Sequence, residues 1–166
     1  MKTQAQFVQL LAEIAKRGAL MDSVAEAAER CAVGIEYPPL FSNLLQKHSF
    51  VAFDVGGVRV HSNLRGEEDN LEELLADKFL TQALCGAGFA PFGRPATGSY
   101  DRVCFDLRNV RRPLEAPVVV MDHEAILSYN QIPKPCKLAD GFLGLFALDN
   151  QKHEPGAAPN AALPHR

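Results

Sequence analysis

The chain has 166 residues, enough for one domain with a full hydrophobic core and too few for two ordinary ones. Its 47% hydrophobic and 22% charged content is that of a globular protein and argues against global disorder. A formal net charge of -3 gives no broad positive field for nucleic acid or an anionic membrane, so neither is expected as a partner.

Phe7, Leu10, Leu11 and Ile14 recur at i, i+3, i+4 and i+7, which predicts a helix with one apolar face, and Gly18 is placed to stop it. That periodicity is not the unbroken apolar core of a secretory signal, and no apolar run approaches the ~18 residues of a membrane span. The chain is therefore expected to be cytoplasmic. Ser23 and Glu26 have capping-box spacing and open a second predicted helix with Val24, Ala27, Ala28 and Cys31 inside. Tyr37-Pro38-Pro39 sets up a third, because proline in a first turn forfeits no helical hydrogen bond. Its buried stripe is Leu40, Phe41, Leu44 and Leu45.

The period then changes. Phe50–Val55 and Val58–His61 are strand-like runs joined at Gly56-Gly57, residues that supply the positive φ of a two-residue hairpin turn. Residues 63–70 carry Glu67, Glu68 and Asp69 and are expected to form an exposed acidic loop. Asn70 caps a helix with Leu71, Leu74, Leu75 and Phe79 on its inner side. A short glycine-flanked strand follows at 86–93, and Arg94–Ser99 reads as a turn. From Arg102 to Leu107 the chain alternates: Val103, Phe105 and Leu107 face one way, Arg102, Cys104 and Asp106 the other. Arg108–Ala116, with Arg111 and Arg112, reads as a polar loop. Pro117–Met121 is another strand, Asp122 caps a short helix over Glu124–Leu127, and Phe142, Leu145 and Phe146 mark a last helix.

Helices first, then a hairpin, a helix, further antiparallel strands and a closing helix give an α+β order, with a curved, mostly antiparallel sheet backed by helices. Residues 1–148 are expected to form a single domain and 149–166 an Ala/Pro-rich C-terminal tail.

Catalytic patterns are weak. Asp122-His123-Glu124 follows a strand, but alternation sends neighbouring side chains to opposite faces, and capping explains Asp122. His61 and His123 lack HExxH or HxH spacing, and each reads as a polar residue at a strand end. Ser99 and Asp101 lack a GxSxG elbow and fit a turn instead. Gly86-Ala87-Gly88 continues into Phe89-Ala90-Pro91, neither a dinucleotide fingerprint nor a phosphate loop. The four cysteines, Cys31, Cys85, Cys104 and Cys136, form no CxxC pair and are expected to be buried, reduced and inert. No metal and no cofactor is called for.

Three segments carry a family resemblance over about residues 20 to 147. One is Ala32-Val33-Gly34 through Pro38-Pro39-Leu40-Phe41-Ser42-Asn43-Leu44-Leu45. The next is Phe53-Asp54-Val55-Gly56-Gly57-Val58-Arg59-Val60. The third is Gly98-Ser99-Tyr100-Asp101-Arg102-Val103-Cys104-Phe105-Asp106-Leu107 with Pro117-Val118-Val119-Val120-Met121-Asp122-His123-Glu124. In these the chain resembles the SUKH superfamily, and within it the SMI/KNR cell-wall assembly regulator group. It departs from them in having no Trp and in carrying Lys47-His48-Ser49-Phe50 where many members are glycine-rich.

The resemblance implies a SUKH-like α+β domain that is not an enzyme and that binds a protein partner. Bacterial members are commonly immunity proteins that neutralise a toxin domain by direct binding. A regulatory scaffold of the cell-wall kind is the alternative, and a small hydrolase or metal-dependent enzyme using His61, His123, Asp122 and Ser99 a third. The polar positions on the matching strands and turns are the candidate partner-binding residues: Asp54, Arg59, His61, Arg94, Tyr100, Asp101, Asp106 and Asp122.

Overall fold

Alternating apolar residues draw the middle of the chain into one curled sheet, around which amphipathic helices close. The computed structural model describes residues 5–12, 34–109 and 116–152. Ile14, Gly18, the predicted helix from Ser23 to Cys31, Arg111, Arg112 and the chain beyond Lys152 lie outside them. The strands are β1 (Phe53–Val55), β2 (Val58–Val60), β3 (Phe89–Pro95), β4 (Arg102–Asp106), β5 (Val118–Met121) and β6 (Cys136–Ala139). They pair antiparallel in chain order, each with its sequence neighbour. The helices are α1 (5–12), α2 (Pro39–Lys47), α3 (Leu71–Leu74), α4 (Lys78–Gly86), α5 (His123–Tyr129) and α6 (Phe142–Lys152). The fold is α+β.

Alternation along β4 divides the core as its sequence requires. Val103 and Phe105 enter a large cluster with Val58, Val60, Phe92 and Val118, closed by Phe41 and Leu44 of α2, Phe142 and Leu145 of α6 and Phe7 of α1. Phe92 and Phe105 stack at 4.3 Å between ring centroids, with Phe41 tilted against both at 5.2 and 5.3 Å. Such contacts contribute about 0.5–1.5 kcal/mol each beyond area burial. Cys104 points the other way, into a smaller cluster with Phe89, Val119, Met121, Leu80 and Leu84 of α4 and Ile126 of α5. Helices thus lie on both faces of the sheet.

Several expectations need correction. The helix capped by Asn70 is short, because a second cap restarts the chain: Asp77 accepts from the Leu80 N–H and opens α4. The restart turns Phe79 away from the Leu71–Leu74 side, and it is 52% exposed instead of buried. β3 runs on through Arg94 and Pro95, positions read as a turn. The register shift between Pro91 and Gly93 accommodates a proline that has no N–H to give the ladder.

The 63–70 segment is largely anchored, not an exposed loop. Asn63, Leu64 and Asn70 are buried, and the Asn63 amide donates to the Leu45 and His48 carbonyls at the end of α2. Cys85 and Cys136 are exposed, so only Cys104 among the described cysteines is buried; all three are free thiols. β6 was not anticipated. Finally, α6 continues to Lys152, and Asp149 within it accepts from the Gly56 N–H at 2.8 Å.

Candidate functional site

Register decides which polar side chains meet. Asp54 pairs with Arg59 across the first hairpin, and Arg59 with Arg94 across β2 and β3. Gly93 pairs with Val103, which places Arg94 beside Arg102 on β4. Partners across a ladder share a face, so Asp54, Arg59, Arg94 and Arg102 form a row over four strands, on the face that carries Cys104.

Within the row the charges are unequally matched. The Arg59 guanidinium grips Asp54 with two bonds, 2.8 and 3.0 Å, and reaches Asp69 Oδ2 at 3.1 Å. The Arg59 bonds hold the Asp54 carboxyl below the usual carboxylate range, against an opposing push from burial. Arg94 stacks its guanidinium 5.3 Å from the centre of the Tyr100 ring. The buried Arg102 donates to the Tyr100 carbonyl, and burial, reinforced by the Arg94 charge, lowers its basicity. Among the described residues, neither Arg94 nor Arg102 has a carboxylate within 4.0 Å.

His61 follows β2 on the same face, two residues beyond Arg59. It is buried, not a rim residue. Its Nδ1 lies 3.1 Å from the Asn70 carbonyl oxygen, which only accepts, so Nδ1 carries the ring proton. Nε2 has no partner, and the same is true of the buried Arg94 Nε. Burial pushes the His61 ring below its ordinary value, which keeps it neutral and leaves a bare lone pair on Nε2. His61, Arg59 and Arg94, with Glu68, Asp69 and Tyr100, line a cleft of about 280 Å³.

A second group adjoins the first through Tyr100, whose ring is 6.1 Å from that of His123. Asp101 Oδ1 accepts from the His123 ring at 2.7 Å and from its backbone N–H at 3.1 Å. Partial burial raises the Asp101 carboxyl, but these bonds and one from the Ser99 hydroxyl outweigh it and hold the group below its usual range. Asp122 accepts from the Glu124 N–H at the start of α5, the cap expected from sequence.

Ligand atoms of Asp101, Asp122 and His123 lie within 4.8 Å of one another, so the convergence that strand alternation argued against does occur, with Asp101 in place of Glu124. β5 ends at Met121, and the strand rule has lapsed by Asp122. The trio has the donor types of a metal centre, but Asp101 Oδ1 is already engaged by His123 and Asp122 Oδ1 by the helix. Ser99 bonds to Asp101, not to the histidine, which is the wrong order for an activated nucleophile.

Asp54, Arg59, His61, Arg94, Tyr100, Asp101 and Asp122 therefore gather around one end of the sheet. Asp106 stands at the other end of β4, where it binds Arg108 at 2.9 and 3.0 Å while Arg108 covers the Phe89 ring. Arg102 was missed as a site residue, since only register shows that it stands next to Arg94. Glu68 and Asp69 were visible only as members of an acidic loop. No protein-family model, curated protein or solved structure matches the chain. No helix among the described residues is long and apolar enough to cross a membrane.

Proposed function

We propose that the chain is a non-enzymatic protein-binding domain of the immunity type, acting in the cytoplasm to neutralise a bacterial toxin domain by occluding it. The observation that carries this reading is Tyr100, 65% exposed and stacked with Arg94 at the mouth of the polar cleft. Tyrosine and arginine are the residue types on which binding energy concentrates, and a rigid ring braced by a guanidinium loses little entropy on docking. The sequence resemblance of the paired β4 and β5 segments to the SUKH superfamily, whose bacterial members are commonly immunity proteins, supports the choice of partner. The Asp54–Arg59–Asp69 network beside the cleft adds fixed charges of both signs, which favour one docking register over others.

The test is co-expression with the product of the adjacent reading frame, followed by calorimetry and a toxicity assay. A stoichiometric complex that abolishes toxicity is expected. Tyr100→Ala should weaken it roughly 30-fold, the effect of losing about 2 kcal/mol at a hot spot. A complex that leaves toxicity intact would sink the immunity reading and favour the scaffold alternative. A metal-dependent reading draws on the Asp101–Asp122–His123 trio; stoichiometric zinc in purified protein, lost in His123→Ala, would bring it forward.

A further inference from the structure

The cleft beside Tyr100 is lined by two residues that each carry a buried polar atom left unsatisfied among the described residues. His61, 2% exposed, and Arg94 both line it, and the buried His61 Nε2 and Arg94 Nε–H have no partner among the described residues. Buried polar atoms are normally paired, and a functional site is where exceptions gather. The surrounding charge indicates what would pair them. Arg59 on β2, Arg94 on β3 and Arg102 on β4 stand in one row, and the last two have no carboxylate within ion-pair distance among the described residues. Of the carboxylates that face the ring, Asp69 is held by Arg59 and Glu68 sits on the exposed rim. A cation seated on Nε2 would meet the repulsion of Arg94 and Arg102, whose charges both act on the ring. An anion would be attracted by the same groups.

We propose that this cleft is a binding site for a small oxyanion, a carboxylate or phosphate group, which accepts from Arg94 Nε and from His61 Nε2 after that nitrogen takes a proton from solvent. An oxyanion offers only acceptors, so the bare Nε2 lone pair must become an N–H for the contact to form. Binding is therefore coupled to uptake of one proton. The volume, at the small end for ligand pockets, suits a compact group better than a large cofactor. The site is defined by the cleft itself and stands whether or not a protein docks on its rim.

The experiment titrates the full chain with sodium phosphate and, separately, sodium succinate at pH 7, against sodium chloride at equal ionic strength. Calorimetry in two buffers of different ionisation heat reads proton uptake, and long-range proton–nitrogen NMR reads the His61 ring. Saturable binding of either anion, with proton uptake and a shift of Nε2 to its protonated position, is the expected result; which anion binds tells phosphate from carboxylate chemistry. Arg94→Gln should weaken it at least tenfold. The proposal is overturned if both anions match chloride, if Nε2 stays bare at saturation, or if a folded Arg94→Gln binds as well as the wild type. The ring signal is read in the unmodified protein, so the test survives a variant that fails to fold. A toxin complex that persists after such a failure would leave the protein-binding reading untouched.

Discussion

Gly56 and Gly66 share a left-handed backbone, at φ 58° and 78°, but differ in what a side chain there would meet. A Cβ on Gly56 would lie 2.5 Å from the Leu145 carbonyl oxygen of α6, whereas one on Gly66 has nothing within 4 Å. Alanine at Gly66 therefore bears only the conformational cost, about 1 kcal/mol, while alanine at Gly56 must also push the first hairpin off α6, for a loss of about 2–4 kcal/mol. Urea unfolding of both variants checks this, and equal losses would mean that the hairpin and α6 part easily. The turn itself was legible, since Gly56-Gly57 between β-rich runs has few other uses. The contact with Leu145 was not, because it joins residues far apart in sequence and depends on how α6 lies across the sheet. Cys85 shows the same limit: its apolar neighbours in sequence suggested burial, but α4 turns it outward.

At the scale of elements, the start of α5 gathers one cluster of polar bonds at this end of the sheet. Asp122 caps the helix, and Asp101, just before β4, accepts from the His123 ring Nδ1 and from its backbone N–H. Asp122→Ala should cost about 1 kcal/mol, the usual value for a lost N-cap. Asp101 and His123 are tested together by a double-mutant cycle with alanine, expected to show about 0.5–1 kcal/mol of coupling because the pair is only partly buried. Additive single variants would mean that the 2.7 Å contact contributes nothing to holding β4 against α5. The Asp122 cap could be read from an aspartate that closes the apolar run Val118-Val119-Val120-Met121. The Asp77 cap that divides α3 from α4 could not, because the apolar spacing continues across it and only the restart shows where the period slips. β6 escaped notice for a related reason: it is a short edge strand with two exposed and two half-buried residues in succession, so it lacks the alternation that marks its neighbours.

For the whole molecule, the curled sheet divides its labour between faces, an aromatic core under α2 and α6 and, on the other side, a polar row left partly uncovered beyond α4 and α5. The row ties stability to pH through His61. Burial depresses the folded ring's affinity for protons, while the unfolded ring titrates near pH 6.5. Below about pH 6.5 the unfolded chain takes up a proton that the folded chain resists, so stability present above that value declines as pH falls. Arg94 and Arg102 oppose protonation from β3 and β4; the bond to the Asn70 carbonyl, joined by the Asp69 charge, favours it but does not reverse the direction. Asp54, Asp101 and Asp106 add a second loss nearer pH 4, where the unfolded carboxylates protonate before the folded ones. Denaturant unfolding between pH 7.5 and 4 should therefore show two declines, and His61→Gln should flatten the upper one while leaving the lower in place. A wild-type profile level from pH 7 to 5.5, or an unchanged slope in the variant, would show that the buried ring is protonated at no cost. Saturating the cleft with an anion that makes Nε2 a donor should have the opposite effect to burial, raising the folded ring's proton affinity toward or above that of the unfolded ring and so shrinking the upper decline, whose onset is set by the unfolded chain.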